Sequence, residues 1–225
     1  GNEFRFLTDH LSGEISGQYM PHDREYGDDR YSAKINLRGS WNNFGYGVNY
    51  NRVSDDDFFD DFSRSIRDNA DDILPQDYWL NYTSTYWNAS VRVTKNQTID
   101  YAYKPYEREP QFSWNAFVAD LGGFELSTHM EATRFAHPTL TEGDRFVFHQ
   151  QVSYPIRGAG WFVTPKAQMI AARYELDHDR AMRYDDAHPG YTLPIFSVDS
   201  GLTFERDMSA AGRDMVQTLE PRLFY

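Results

Sequence analysis

Tyr31-Ser32-Ala33-Lys34-Ile35-Asn36-Leu37-Arg38-Gly39-Ser40-Trp41 is the stretch that decides the fold. Tyr31, Ala33, Ile35, Leu37, Gly39 and Trp41 interleave with Ser32, Lys34, Asn36, Arg38 and Ser40, an apolar–polar alternation held over eleven residues. A period of two sends successive side chains to opposite faces, so the segment reads as a strand with one greasy and one wet side. The period repeats outward in both directions. Tyr46/Val48/Tyr50, Tyr78/Leu80/Tyr82, Ala89/Val91/Val93, Phe112/Trp114/Ala116/Val118 and Phe124/Leu126/Thr128/Met130 carry it, as do Trp161/Val163/Ala167/Met169 and Phe196/Val198/Leu202/Phe204. About twelve strands are expected, near 3–8, 13–20, 31–41, 46–54, 76–86, 89–99, 110–119, 124–136, 145–155, 161–174, 195–207 and 215–224. Helical spacing is confined to the loop at 55–73. Pro165 and Pro221 fall inside alternating segments and there predict bulges or strand boundaries, because proline removes a ladder donor.

The connections alternate in length. Short ones lie at Asp9–Ser12, Asn42–Gly45, Trp87-Asn88, Asp120–Gly123, Ile156–Gly160 and Met208–Arg213. Long ones lie at Pro21–Arg30, Asp55–Pro75, Asp100–Glu109, His137–Asp144 and Glu175–Pro194. A meander with turns short on one side and long on the other predicts an all-β antiparallel sheet of transmembrane strands, part of a large outer-membrane β-barrel. A sandwich has no reason to sort its loops in this way. Trp41, Phe44, Tyr46, Tyr86, Trp87, Phe124 and Trp161 flank the short turns, and Tyr19, Tyr31, Tyr78, Phe146, Tyr174 and Phe196 lie near the long loops. Two such belts suit rings that prefer membrane–water interfaces. The competing reading is that aromatics are simply good strand formers.

Composition narrows the function. With 22 Lys+Arg against 34 Asp+Glu the net charge is −12, and no basic stripe is present to bind nucleic acid. No apolar run approaches the roughly 18 residues of a membrane helix. The chain has no Cys, hence no thiolate metal site or cysteine nucleophile within these residues. It opens at Gly1 without Met or an apolar leader, and both ends cut through alternating segments, so a piece of a longer protein is expected.

Chemistry-bearing patterns are weak. Asp23, Glu25, Asp28 and Asp29 fill one long loop, and Asp55, Asp56, Asp57, Asp60, Asp61, Asp68, Asp71 and Asp72 the next. Carboxylates suit Ca²⁺ or Mg²⁺, but a calcium-loop spacing is missing, and a solvated, self-repelling surface is the expected reading. Paired carboxylates could serve a glycosidase. Among 34 acids such a pair carries no weight by itself. His129 and His149 lack metal-ligand spacing. No catalytic residue, metal or cofactor is expected. Lys34, Arg38, Arg92, Glu125, Glu131, Arg145, Lys166, Asp199, Glu205, Glu220 and Arg222 share the polar strand faces. Arg or Lys facing lipid at mid-depth costs about 2–4 kcal/mol, so these charges are expected to face a wet lumen. On the residues alone, a soluble aromatic-rich β protein that binds or cleaves carbohydrate and an unrelated outer-membrane transporter stay open.

Particular motifs narrow this further. Asn2-Glu3-Phe4-Arg5-Phe6-Leu7, then Asn49-Tyr50 through Val53-Ser54-Asp55 with Phe59-Asp60-Asp61-Phe62, and Asn88-Ala89-Ser90-Val91 resemble the LPS-assembly outer-membrane protein family, LptD. Phe204-Glu205-Arg206-Asp207-Met208 and Gln217-Thr218-Leu219-Glu220-Pro221-Arg222 resemble it too, and the match runs over all 225 residues. The resemblance implies a non-enzymatic translocon segment in the bacterial cell outer membrane. In that family a jelly-roll domain takes lipopolysaccharide from a periplasmic bridge, and a large barrel releases it into the outer leaflet with the lipoprotein LptE plugging the lumen. Residues 1–225 would then form part of the barrel, with the jelly roll, the gate seam and the disulfide cysteines outside them. The Val53–Pro75 segment resembles the family's long loop folded toward the plug, which makes Phe58, Phe59, Phe62 and Ile66 the expected lipoprotein contacts.

Overall fold

The computed structural model describes residues 1–62, 73–99, 103–177, 187–210 and 212–225. In chain order these form β1 (Asn2–Leu7), β2 (Leu11–Met20), β3 (Arg30–Trp41), β4 (Phe44–Val53), the single-turn helix α1 (Phe58–Phe62), β5 (Ile73–Thr83) and β6 (Trp87–Thr98). Next come β7 (Glu107–Leu121), β8 (Phe124–Ala136), β9 (Gly143–Ser153), β10 (Ile156–Gly158) and β11 (Trp161–Leu176). The chain ends with β12 (Gly190–Leu202), β13 (Phe204–Ala210), β14 (Arg213–Leu219) and β15 (Arg222–Phe224). Strands β1 to β9, then β11, β12 and β15, hydrogen-bond in that order, with β10 on β11 and β13 on β14. This is the antiparallel all-β meander that the alternation predicts.

Cross-strand register sorts the side chains into a mainly apolar and a mainly polar face. Phe6, Gly13, Leu37, Val48, Tyr78 and Val93 form one row across β1 to β6. The adjacent row, on the opposite face, is Arg5, Glu14, Asn36, Asn49, Asp77 and Thr94. A one-residue slip would exchange the two sets, so the pattern itself pins the register. Large apolar side chains on the first face, among them Phe4, Ile15, Tyr31, Trp41, Leu80 and Val91, are exposed. Such a contiguous apolar surface is foreign to a water-facing sheet and natural for one facing hydrocarbon. Gly39 lies beneath the Tyr46 ring, and a Cβ there would come within 2.4 Å of it. A small residue under a large ring is a local packing solution on a curved or twisted ladder.

Prolines set the interruptions. Pro165 stays in β11 opposite Val198 and offers its carbonyl to the Tyr154 N–H at 3.1 Å. It has no N–H to return, and the neighbouring strand lapses at Tyr154-Pro155 before resuming in the same register as β10. The expected turn at Ile156–Gly160 is therefore shorter, only residues 159–160. The expected strands at 195–207 and 215–224 are each split as well. Asp199 faces Phe224 and Phe204 faces Leu219, one register broken around Thr203 and Glu220-Pro221. The expected turn at Trp87-Asn88 sits earlier, where the Ser84 N–H bonds the Trp87 carbonyl at 2.8 Å, because Trp87 already packs its ring on Tyr82. Gly122 and Gly123, both at positive φ (66° and 91°), make the β7–β8 turn. Two consecutive positive φ values are what the hairpin turn matching the sheet twist requires.

The contacts divide the chain into two compact units. One comprises Gly1–Trp114, Glu131–Phe146 and Tyr174–Pro189; the last expected long connection, Glu175–Pro194, runs past it because residues 190–194 already belong to β12. The other comprises Asn115–Met130, Val147–Arg173 and Gly190–Tyr225. In the first, Val53, Phe58, Leu74 and Ile99 form a small buried cluster, with Phe59 and Phe62 against it.

Candidate functional site

In the first unit the polar face is a graded surface of cations, carboxylates and amides. Arg92 is held by Asp77 through two contacts, Nε to Oδ1 at 3.2 Å and Nη2 to Oδ2 at 3.0 Å. The Thr94 hydroxyl donates to the same carboxylate at 2.7 Å. Glu131 accepts from Arg145, from Thr133 at 2.9 Å and from Gln111 at 3.0 Å. Lys34 and Arg38 are exposed on this face and have no ion-pair partner among the described residues. A hollow of about 480 Å³ opens over them beside Arg5, Glu14 and Asn36. In the second unit Glu125 accepts from Ser153 at 3.1 Å, and Arg222 pairs with Asp199 through Nε at 2.7 Å and through Nη2. Glu220 is exposed at the break in the last hairpin. His129 meets Asn115 at 2.7 Å and His149 meets Gln168 at 3.2 Å, amide contacts rather than ligand sets. No cluster suited to a metal occurs among the described residues.

The described residues of the first two acidic loops are tied together rather than left as a repelling surface. Arg30, only 1% exposed, sits at the start of β3 and gathers acids from both flanking loops. Its Nε and Nη2 reach Asp55 at 3.0 and 2.7 Å, and its Nη1 reaches Asp61 at 2.6 Å and Asp23 at 3.4 Å. The guanidinium also lies over the rings of Tyr26 and Phe62, at 4.7 and 4.6 Å from their centroids. The planar fork permits all of this at once, which an ammonium could not do. Asp23, Asp55 and Asp61 are therefore clamp residues, not simply solvated charge. Sequence reasoning missed Arg30 because its partners lie up to 31 residues away. The available signal was a cation at the junction of an acidic loop and a strand.

The clamp carries α1. Phe58 is buried against Val53, Leu74 and Ile99, while Phe59 and Phe62 are half-buried around it. Beyond the last β4–β5 pair the ladder is replaced by side-chain amides. Asn51 donates to the Pro75 carbonyl at 2.9 Å, and Gln97 bonds both the N–H and the carbonyl of Val53 at 3.0 and 2.9 Å. The helix thus rests on its own strand ends. A hollow of about 650 Å³ lies beside it, bordered by Phe59, Phe62, Ser32, Lys34 and Asn51. Ile66 lies outside the described residues. A second clamp joins other loops: Arg134 meets Asp177 and Asp144, and His137 accepts the Thr139 and Leu140 N–H groups at Nδ1 (3.1 and 2.9 Å).

Comparison with known proteins agrees with this architecture. A family model, "LptD: LPS transport system D", matches residues 27–225. The chain is 38% identical to the LPS-assembly protein LptD of Ralstonia nicotianae (strain ATCC BAA-1114 / GMI1000) and 39% identical to that of Azoarcus sp. (strain BH72), in each case over 237 residues and 100% of its own length. The LPS-assembly protein LptD of Acidovorax sp. (strain JS42) is 37% identical over 245 residues. The chain spans 29% to 30% of the length of these relatives. A match to the family model over nearly the whole chain, on an antiparallel meander whose β1 to β6 present one mainly apolar and one mainly polar face, places this protein in the LPS transport system D family, LptD.

Proposed function

We propose that these strands are part of the outer-membrane translocon that inserts lipopolysaccharide into the outer leaflet, working with a plug lipoprotein, LptE. The observation that carries the reading is the sorting of mainly apolar and mainly polar side chains to opposite faces across β1 to β6, which suits hydrocarbon on one side and a wet passage on the other. The relatives' shared description as LPS-assembly proteins supplies the cargo. Substrate would arrive from a periplasmic bridge through a domain that these residues do not include. The work is passage, not bond chemistry, so the residues act by holding shape and charge.

Within this reading the α1 loop is the lipoprotein contact. Phe59 and Phe62 offer apolar surface, and Phe58 holds the helix in place against Val53 and Leu74. Lys34, Arg38, Arg92, Glu125, Glu220 and Arg222 line the wet side. The test is controlled depletion of the full-length protein in cells, followed by labelling of surface lipopolysaccharide. Surface lipopolysaccharide should fall while other outer-membrane barrels stay folded. Unchanged surface labelling after depletion would overturn the assignment.

A further inference from the structure

Trp79 is out of place on the polar face. The register sets it opposite Gly47 on β4 and opposite Arg92 on β6, in a row that continues to Arg38 and Ser12. Every other large ring of that strand, Tyr78 and Tyr82, belongs to the apolar face. The indole lies across β4. A Cβ on Gly47 would stand 2.4 Å from its Cζ2, and one on Gly45 would stand 3.7 Å from its Cζ3. Two glycines thus bring the ring down onto backbone, yet it stays only half-buried. Its inner side is covered and its outer side is left to the wet face.

Its surroundings are those of a sugar, not of a lipid. Asn36, Asn49 and Asn81 share this face, with amides that both donate and accept hydrogen bonds. Arg92 is neutralised by Asp77, but Arg38 and Lys34 have no counter-ion among the described residues. Arg30, Lys34 and Arg38 recur every four residues on one face of β3, roughly 13 Å apart at a strand's rise. The outermost is fully paired by the loop clamp, and the two nearer the short turns are open. A flat ring accepts the C–H face of a pyranose by burying apolar surface, and unpaired cations accept a phosphate.

We propose that Trp79, with Arg38 and Lys34, forms a binding surface for the phosphorylated saccharide of the transported glycolipid on its way through the wet passage. The proposal rests on the lipopolysaccharide-export reading and adds a location and a recognition chemistry to it. The ring supplies stacking, the asparagine amides meet hydroxyls, and the cations hold phosphate. Exposed charges bind weakly in water, so cargo is held briefly and released rather than trapped.

The test uses the full-length protein in its outer-membrane complex. A photoreactive benzoylphenylalanine is placed at position 79, at position 34, or at position 80 on the opposite face, and adducts are read by blotting for lipopolysaccharide. Positions 79 and 34 should give lipopolysaccharide adducts and position 80 should not. Arg38→Gln, and separately Trp79→Phe or Trp79→Ala, should cut the position-34 adduct several-fold and in that order of increasing severity for the two Trp79 variants. Cells making lipopolysaccharide without core phosphates should lose the Arg38 dependence. Normal heat-modifiability of each variant shows that the barrel has assembled, and Arg38→Gln carries the test if the Trp79 variants do not assemble. Equal adducts at 79 and 80, or a position-34 adduct indifferent to Arg38→Gln, would overturn the proposal. Loss of surface lipopolysaccharide on depletion with no adduct at 79 sinks this inference alone. No loss on depletion sinks the export reading beneath it.

Discussion

Arg30 and Asp55 form a two-pronged ion pair, Nε to Oδ2 at 3.0 Å and Nη2 to Oδ1 at 2.7 Å, between the first residue of β3 and the loop after β4. Because Arg30 also takes Asp61 and Asp23, this pair is the knot that ties two acidic loops to one strand end. Removing the cation leaves three carboxylates facing each other. Breaking a buried pair on one side costs about 3–5 kcal/mol. Arg30→Gln should therefore free residues 21–29 and the α1 segment to protease while strand assembly persists, and Arg30→Lys should be intermediate. Limited proteolysis of the assembled complex measures this, and protection equal to the parent's in Arg30→Gln would refute the clamp.

Acid should loosen the same loops. The Asp23 carboxylate accepts the Glu25 N–H at 3.0 Å and faces Arg30, which holds its pKa below the usual carboxylate value. Asp29, bonded by the Tyr19 hydroxyl at 2.6 Å and the His22 N–H at 2.9 Å, is lowered as well. A carboxylate with a depressed folded pKa stabilises the fold above its unfolded value, about 3.9, and loses that contribution as pH falls through the folded one. Amide exchange at residues 21–29, corrected for intrinsic rates, should stay slow from neutral pH to about 4 and quicken below it. Flat protection through that window would contradict the assignment.

The two faces of β3 should differ sharply in tolerance. Ile35 lies between Ile15 and Tyr50 on the apolar face, and Lys34 lies between Ser16 and Asn51 on the other. Ile35→Arg should impair barrel assembly by about 2–4 kcal/mol if it sits near mid-depth. Lys34→Gln should assemble normally. Heat-modifiability of the full-length protein reports both, and equal tolerance would remove the membrane assignment.

The α1 loop gives a separable pair of effects. Deleting residues 56–72 should weaken co-purification of the lipoprotein more than it disturbs the strands. Phe58→Ala empties a buried site and should loosen the helix by about 3–5 kcal/mol. Asp56→Asn and Asp57→Asn should do little, as exposed charges contribute weakly. Asp55→Asn should behave differently, because its carboxylate is 5% exposed and faces Arg30. Wild-type stoichiometry and salt resistance of the complex after the deletion would show that the loop is not a plug contact.

Period-two alternation, loop-length sorting and the two proline positions were all legible from local sequence. A strand's face is a property of neighbouring residues, so Tyr31 to Trp41 determined it without knowledge of any partner. The turn signals were less sharp. Trp87 reads as a turn residue in the chain, but a tilted ring contact with Tyr82, 4.9 Å between centroids, accompanies its place in β6.

By itself the sequence determined that this is a β meander with a greasy and a wet side, because hydrophobic sorting needs only spacing. Only the tertiary structure decided what Arg30, Phe58 and Trp79 do. Arg30 in the chain is one cation beside many acids, and its burial depends on loops that converge through strand pairing. Phe58 needed Val53, Leu74 and Ile99 brought to one strand end before it became core. Trp79 needed Gly47 set opposite it, and Gly45 two residues away on the same face, before its ring could lie over β4 among polar residues. Side-chain spacing along a strand is local, whereas neighbours across strands are set by register, and register is a property of the folded sheet.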